Sequence, residues 1–144
     1  LGLELWGWEN GIRETTEKAI ALSDYIFGNA DEEILPISNK NSLDEALLSL
    51  SSGGKTIVAR QGASGSIATV NGETIKTKAY PSEALDTLGA GDAFCGGFIT
   101  SKMNGDSTED ALKWGNAVAS LQINKPGARG VPSLDEVKNV LEVG

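Results

Sequence analysis

The stretch Asp86-Thr87-Leu88-Gly89-Ala90-Gly91-Asp92-Ala93-Phe94-Cys95-Gly96-Gly97-Phe98-Ile99 most restricts what this chain can become. A carboxylate and a hydroxyl lead into a Gly-Ala-Gly turn, and Asp92 follows as apolar periodicity begins. Ala93, Phe94, Gly97 and Phe98 recur at helical spacing, which predicts a helix opening near Ala90 or Gly91. Small residues at a helix start let free N–H groups approach a ligand, and the positive end of the helix dipole adds to them. An anion site is therefore expected here. Asp92 inside it has two readings. As an acid in a first helical turn it is worth under about 1 kcal/mol. Beside a phosphate it can instead take the proton of a hydroxyl that attacks that phosphate.

The rest of the chain alternates helical and strand patterns. Ile12, Thr16, Ala19 and Ile20 suit a helix from about Ile12 to Leu22, and Tyr25-Ile26-Phe27-Gly28 reads as a buried strand. Asn29-Ala-Asp-Glu-Glu is a capped helix start with acids in its first turn. Ser42-Leu-Asp-Glu45 opens a helix through Leu50, and Lys55–Arg60 follows as a strand. Gln61 to Ser66 is a turn carrying Gly62 and Gly65, and Ser66–Val70 continues as a strand. Asn71-Gly72 predicts a type I′ hairpin with Glu73–Ala79 returning. Ser107 caps a helix whose buried stripe is expected at Ala111, Leu112, Gly115, Val118, Ala119 and Ile123, with Asn116 among small residues. Lys125–Pro132 is a loop, and Ser133-Leu-Asp-Glu136 opens a closing helix to about Val143. Residues 1–9, with two tryptophans, receive no assignment. No repeat or low-complexity linker interrupts the pattern, so residues 1–144 read as a single, partial α/β domain.

Composition removes several classes. With 12 basic and 20 acidic residues the net charge is −8, which argues against a nucleic-acid partner or an anionic membrane surface. One cysteine and no histidine rule out an internal disulfide, a His/Cys zinc site and a Ser-His-Asp triad, and fit a reducing, cytoplasmic setting. Cys95 falls in the apolar helix and is expected to be packed rather than reactive. No run approaches membrane-spanning length. The missing initiator Met suggests a start inside a longer protein.

Asp-Thr-x-Gly-Ala-Gly-Asp followed by Ala-Phe-x-Gly-Gly-Phe resembles the C-terminal signature of the ribokinase (PfkB) family of carbohydrate and nucleoside kinases. The likeness runs from about residue 22 to the end and matches only the C-terminal part of such kinases. It implies the C-terminal portion of a ribokinase-like three-layer α/β/α sandwich, without the N-terminal acceptor-binding part. It implies Asp92 as general base, with the amides of Gly89, Ala90 and Gly91 holding the transferring phosphoryl group. Phe-Gly-Asn-x-x-Glu resembles the family's Asn-x-x-Glu motif, which sets Asn29 at the nucleotide and Glu32 at the water shell of its Mg²⁺. The Gly62-x-x-Gly65 turn would lie against ribose and phosphates. Arg60, where many members carry Thr, offers a basic group to a phosphate, and Asn116 would stand beside the adenine. Asp86, the Leu88 carbonyl and carbonyls of the Lys125–Pro132 loop, Gly127 among them, would hold a monovalent cation such as K⁺, to which hard oxygens are suited.

The function implied is ATP- and Mg²⁺-dependent phosphorylation of a sugar hydroxyl. A nucleoside acceptor of the adenosine type is one alternative. A nucleotide-binding or oligomerisation module without turnover is the other. The fragment alone is expected to be inactive, and an apolar face left by the missing part makes association into a homodimer one expectation. Which acceptor is used is not written in these residues.

Overall fold

The computed structural model describes residues 1–2 and 12–143, so most of the unassigned tryptophan segment (residues 3–9) lies outside the described residues. The backbone forms two compact units, residues 1–61 with 67–75 and residues 62–66 with 76–144. The chain passes between them inside a turn and a hairpin rather than at a change of composition. That is why no linker is visible in the sequence.

In the first unit, β1 (Tyr25–Asn29) and β2 (Thr56–Arg60) pair in parallel, in register from Tyr25↔Thr56 to Asn29↔Arg60. Ile26, Phe27, Ile57, Val58 and Ala59 are buried, as strands covered on both faces require. The sheet continues with β3 (Ser66–Val70) and β4 (Glu73–Thr77) in the order β1-β2-β3-β4. Asn71 (φ 52°) and Gly72 (φ 82°) form the predicted two-residue turn. On the other side of β1, Gly2 bridges Phe27 in parallel, a placement the sequence did not show. The helices α1 (Ile12–Ala21), α2 (Leu35–Ser38) and α3 (Leu43–Leu50) complete this unit. Its core joins Ile20, Ile26, Ile34, Ile37, Leu47 and Ile57. Ahead of α2 the chain makes a π-helical turn, Ala30–Ile34, in which Leu35 N–H reaches back to the Ala30 carbonyl. Pro36 has no N–H to give the Glu32 carbonyl and its ring crowds that group, so the turn before it widens.

The second unit is built on α4 (Ala90–Met103), α5 (Thr108–Gln122) and α6 (Leu134–Val143). Two glycines bring α4 and α5 together. A Cβ on Gly97 would lie 2.9 Å from the Trp114 carbonyl, and one on Gly115 would lie 2.8 Å from the Phe94 ring. Ser107 accepts from Asp110 N–H at 3.0 Å, and Ser133 and Glu136 exchange bonds with each other's backbone. Two expectations need correction. The β4 strand stops at Thr77 rather than Ala79, because the Lys78 carbonyl turns to the side chain of Asn116. On α5 the buried residues include the polar Asn116, Ser120 and Gln122, whereas Val118, Ala119 and Ile123 are half-buried. The face is rotated because one flank of α5 packs on α4 while the other carries hydrogen bonds to loops. Among the described residues, no helix is long and apolar enough to cross a membrane.

Candidate active site

The anion turn belongs to the second unit. Gly89 caps α4 at φ 81°, and a Cβ there would come within 2.8 Å of the Ala128 Cβ. Only glycine meets both the left-handed backbone and the close approach. Ala90 N–H turns back to the Thr87 carbonyl at 3.2 Å, and Ala93 N–H closes the first helical bond to Gly89 at 2.9 Å. Among the described residues, the amides of Gly89, Gly91 and Asp92 are left without a backbone partner at the positive end of a 14-residue helix. The Asp92 carboxylate is exposed and makes no hydrogen bond or ion pair among the described residues. A free carboxylate next to free amides is a poor structural device and a usable proton acceptor.

The residues expected to hold a monovalent cation meet one another through protein donors. Asp86 accepts Leu88 N–H on one oxygen and Gly127 N–H on the other, both at 2.9 Å. These amides, Leu88 first and Gly127 second, hold the Asp86 carboxyl below its ordinary value of 3.8. Because the folded pKa is depressed, the contribution is complete above the ordinary value and is lost as pH falls through the lowered one. A carbon-detected NMR titration should therefore place the Asp86 midpoint below that of a free aspartate, with the Gly127 amide shifting in the same step. An ordinary midpoint would show that these amide bonds do not form in solution. The Leu88 and Gly127 carbonyls accept from Gln122 Nε2 at 3.0 Å each. Gln122 was not anticipated, although its position seven residues after Gly115 puts it on the buried face of α5.

Two expected nucleotide residues also converge in this unit. Gly65, at φ 101°, packs so tightly that a Cβ would sit 2.1 Å from the Thr77 carbonyl. Asn116 donates to Thr77 Oγ1 at 2.9 Å and to the Lys78 carbonyl at 3.1 Å. Both therefore secure Thr77–Lys78, while Gly62 is exposed and only closes the turn by accepting Gly65 N–H. An open cleft of about 910 Å³ is lined by Pro81, Ser82, Glu83, Ala84, Leu85 and Asn124. None of the expected site residues lines it.

In the first unit Asn29 and Arg60 sit at the paired carboxyl ends of β1 and β2, the usual place for ligands of parallel sheets. The Asn29 side chain caps the next turn, accepting Asp31 and Glu32 N–H at 3.0 Å each. Glu33, not singled out from the sequence, is buried and accepts from both Asn29 N–H and Arg60 Nη2, the latter at 3.2 Å. Arg60 is thus paired, with its Nε buried and without a hydrogen-bond partner among the described residues. Glu32 is exposed, with its carboxylate unengaged among the described residues.

Residues 5–134 match a family described as pfkB family carbohydrate kinase. The chain is 35% identical over 124 residues to a 5-dehydro-2-deoxygluconokinase of Listeria monocytogenes, an overlap of 83% of this chain and 38% of that protein. It superposes with TM-score 0.85 and 24% identity on a putative ribokinase II from E. coli in complex with ATP and Mg²⁺, over 92% of this chain and 44% of that one. A fructokinase double mutant from Vibrio cholerae, in its fructose, ADP and potassium ion bound form, gives TM-score 0.86 at 23% identity over 96% and 48%. These structures share the ribokinase fold expected from the sequence, and the chain spans less than half the length of each relative.

Proposed function

The chain belongs to the pfkB family of carbohydrate kinases, and from that membership we propose that it supplies the nucleotide-binding and phosphoryl-transferring part of an ATP-dependent sugar kinase. The observation that carries the proposal is the start of α4, where, among the described residues, three amides without a backbone partner adjoin an exposed Asp92 carboxylate that makes no hydrogen bond or ion pair. Phosphoryl transfer needs positioning and charge stabilisation more than covalent help. The acceptor oxygen forms its bond to the γ-phosphorus, the bond to the β-phosphate oxygen breaks, and ADP leaves with that electron pair. Asp92 takes the hydroxyl proton, and the N–H groups of the Gly89–Asp92 turn hold the transferring charge. Among the described residues those of Gly89, Gly91 and Asp92 have no backbone partner, and Ala90 N–H would have to leave the Thr87 carbonyl to join them.

Nucleotide roles are proposed for Gly62, Gly65 and Asn116, and for Arg60, whose pairing with Glu33 leaves part of its guanidinium for a phosphate. Mg²⁺ arriving with the nucleotide would supply charge neutralisation, with Glu32 the proposed contact to its waters and Asn29 proposed at the nucleotide. The exposed, unengaged Glu32 carboxylate suits that use. Glu32→Gln is expected to raise the Mg²⁺ concentration needed for half-maximal rate, with little change in Tm, since a first-turn acid is worth under about 1 kcal/mol. A sharp fall in Tm with unchanged Mg²⁺ dependence would leave Glu32 only a helix-start role.

The test of the whole reading is ADP release by the intact protein, with ATP and a panel of sugars and nucleosides. Sugar-dependent release is expected. Release with nucleosides alone would move the acceptor to that class, and ATP binding without acceptor-dependent turnover would leave a binding module.

A further inference from the structure

Gln122 is completely buried, yet its amide nitrogen is aimed at two carbonyls from separate loops, Leu88 and Gly127, at 3.0 Å each. The same two residues give their N–H groups to Asp86 at 2.9 Å. Both backbone polar groups of each of these two residues are thereby engaged, the donors by a carboxylate and the acceptors by a neutral amide. The orientation of Gln122 is dictated. Nε2 has one hydrogen for each carbonyl, whereas the flipped amide would press Oε1 against two carbonyl oxygens. Oε1 is consequently left buried with no partner among the described residues.

The oxygens assigned by family resemblance to a monovalent cation are therefore already bridged by a protein donor. A cation between the Leu88 and Gly127 carbonyls would meet the partial positive charge of the Gln122 NH₂ at the same oxygens, and the donor set does not fit it. We propose that Gln122 is a positioning residue that replaces such a cation: its amide ties Leu88 to the Gly127 loop and so sets the Gly89–Gly91 turn without monovalent-cation activation. Leu88 is 66% exposed, so its backbone bonds, rather than packing, hold the residue that leads into the turn. The proposal rests on the kinase reading for why the turn must be held, but its test does not.

The intact protein is melted at matched ionic strength in KCl, NaCl and tetramethylammonium chloride, and ²⁰⁵Tl⁺ binding is followed by NMR. The native protein is expected to melt alike in all three salts, within about 1 °C, and to bind no Tl⁺. Gln122→Glu, an isostere that places an anionic oxygen against the two carbonyls, should become K⁺-dependent, gaining about 3 °C or more in KCl over tetramethylammonium chloride. Should that variant fail to fold, Gln122→Ser, which leaves both carbonyls without a donor, is read in the same way. Selective stabilisation of the native protein by K⁺, or Tl⁺ binding to it, would overturn the proposal, as would a substituted protein indifferent to K⁺. Absence of sugar-dependent ADP release in the panel assay would remove the kinase reading and leave these melting results unaffected.

Discussion

Asp92→Asn in the intact protein is expected to lower kcat by at least about 100-fold, the usual scale of a general base, with Tm nearly unchanged. The substitution keeps the size of the side chain and the N–H of the turn, and removes only the ability to take a proton. Stability should hardly respond. Asp92 is exposed and has no partner among the described residues, so what is lost is its interaction with the helix dipole, under about 1 kcal/mol. ATP affinity should change much less than kcat, because the carboxylate acts on the acceptor hydroxyl and repels rather than binds a phosphate. The decisive measurement is kcat at saturating ATP and sugar alongside a nucleotide titration of the same preparation. Near-normal kcat with a slightly lower Tm would reduce Asp92 to a favourable helix-start residue.

Gly65→Ala should cost more than about 3 kcal/mol of folding stability, through left-handed strain and overpacking together. At φ 101° the new Cβ would fall 2.1 Å from the Thr77 carbonyl and 2.7 Å from the Ala79 nitrogen, both backbone atoms that cannot swing aside. Gly62→Ala is the control. Its φ is 55°, but a Cβ there meets nothing within 4 Å, so about 1 kcal/mol of left-handed strain is expected. Urea denaturation of the two variants, fitted with a common m-value, checks the contrast. Equal, small losses would mean that the chain at Gly65 and Thr77 is further apart than it is here. The contrast also changes how this turn can be probed. A bulky residue at Gly65 disturbs folding before it can report on a nucleotide, so the exposed Gly62 is the position at which ATP affinity can be read.

Local chemistry was legible in advance. Ser42, Ser107 and Ser133 each open a helix by accepting an N–H three residues on, and Asn71-Gly72 turns the hairpin. The Gly-Ala-Gly start of α4 was read correctly because its cause is local: no side chain fills the first turn, and the residues after it repeat at helical spacing. Glu33 was hidden by its neighbour. The Asn-x-x-Glu spacing points to Glu32, whereas the partners of Glu33 are a strand amide and an arginine 27 positions away.

What the sequence determined by itself was therefore the kind and order of elements, their caps, and the family signature around Asp92. Each of these depends on residues within about one helical turn of one another. The tertiary structure alone decided the use of the buried polar side chains. Asn116 fastens the residue after β4, 38 positions earlier, and Gln122 joins Leu88, 34 residues earlier, to Gly127. A polar group removed from water must find a partner, but its residue type says only that one is needed. Which one is chosen depends on the loops that folding brings within reach.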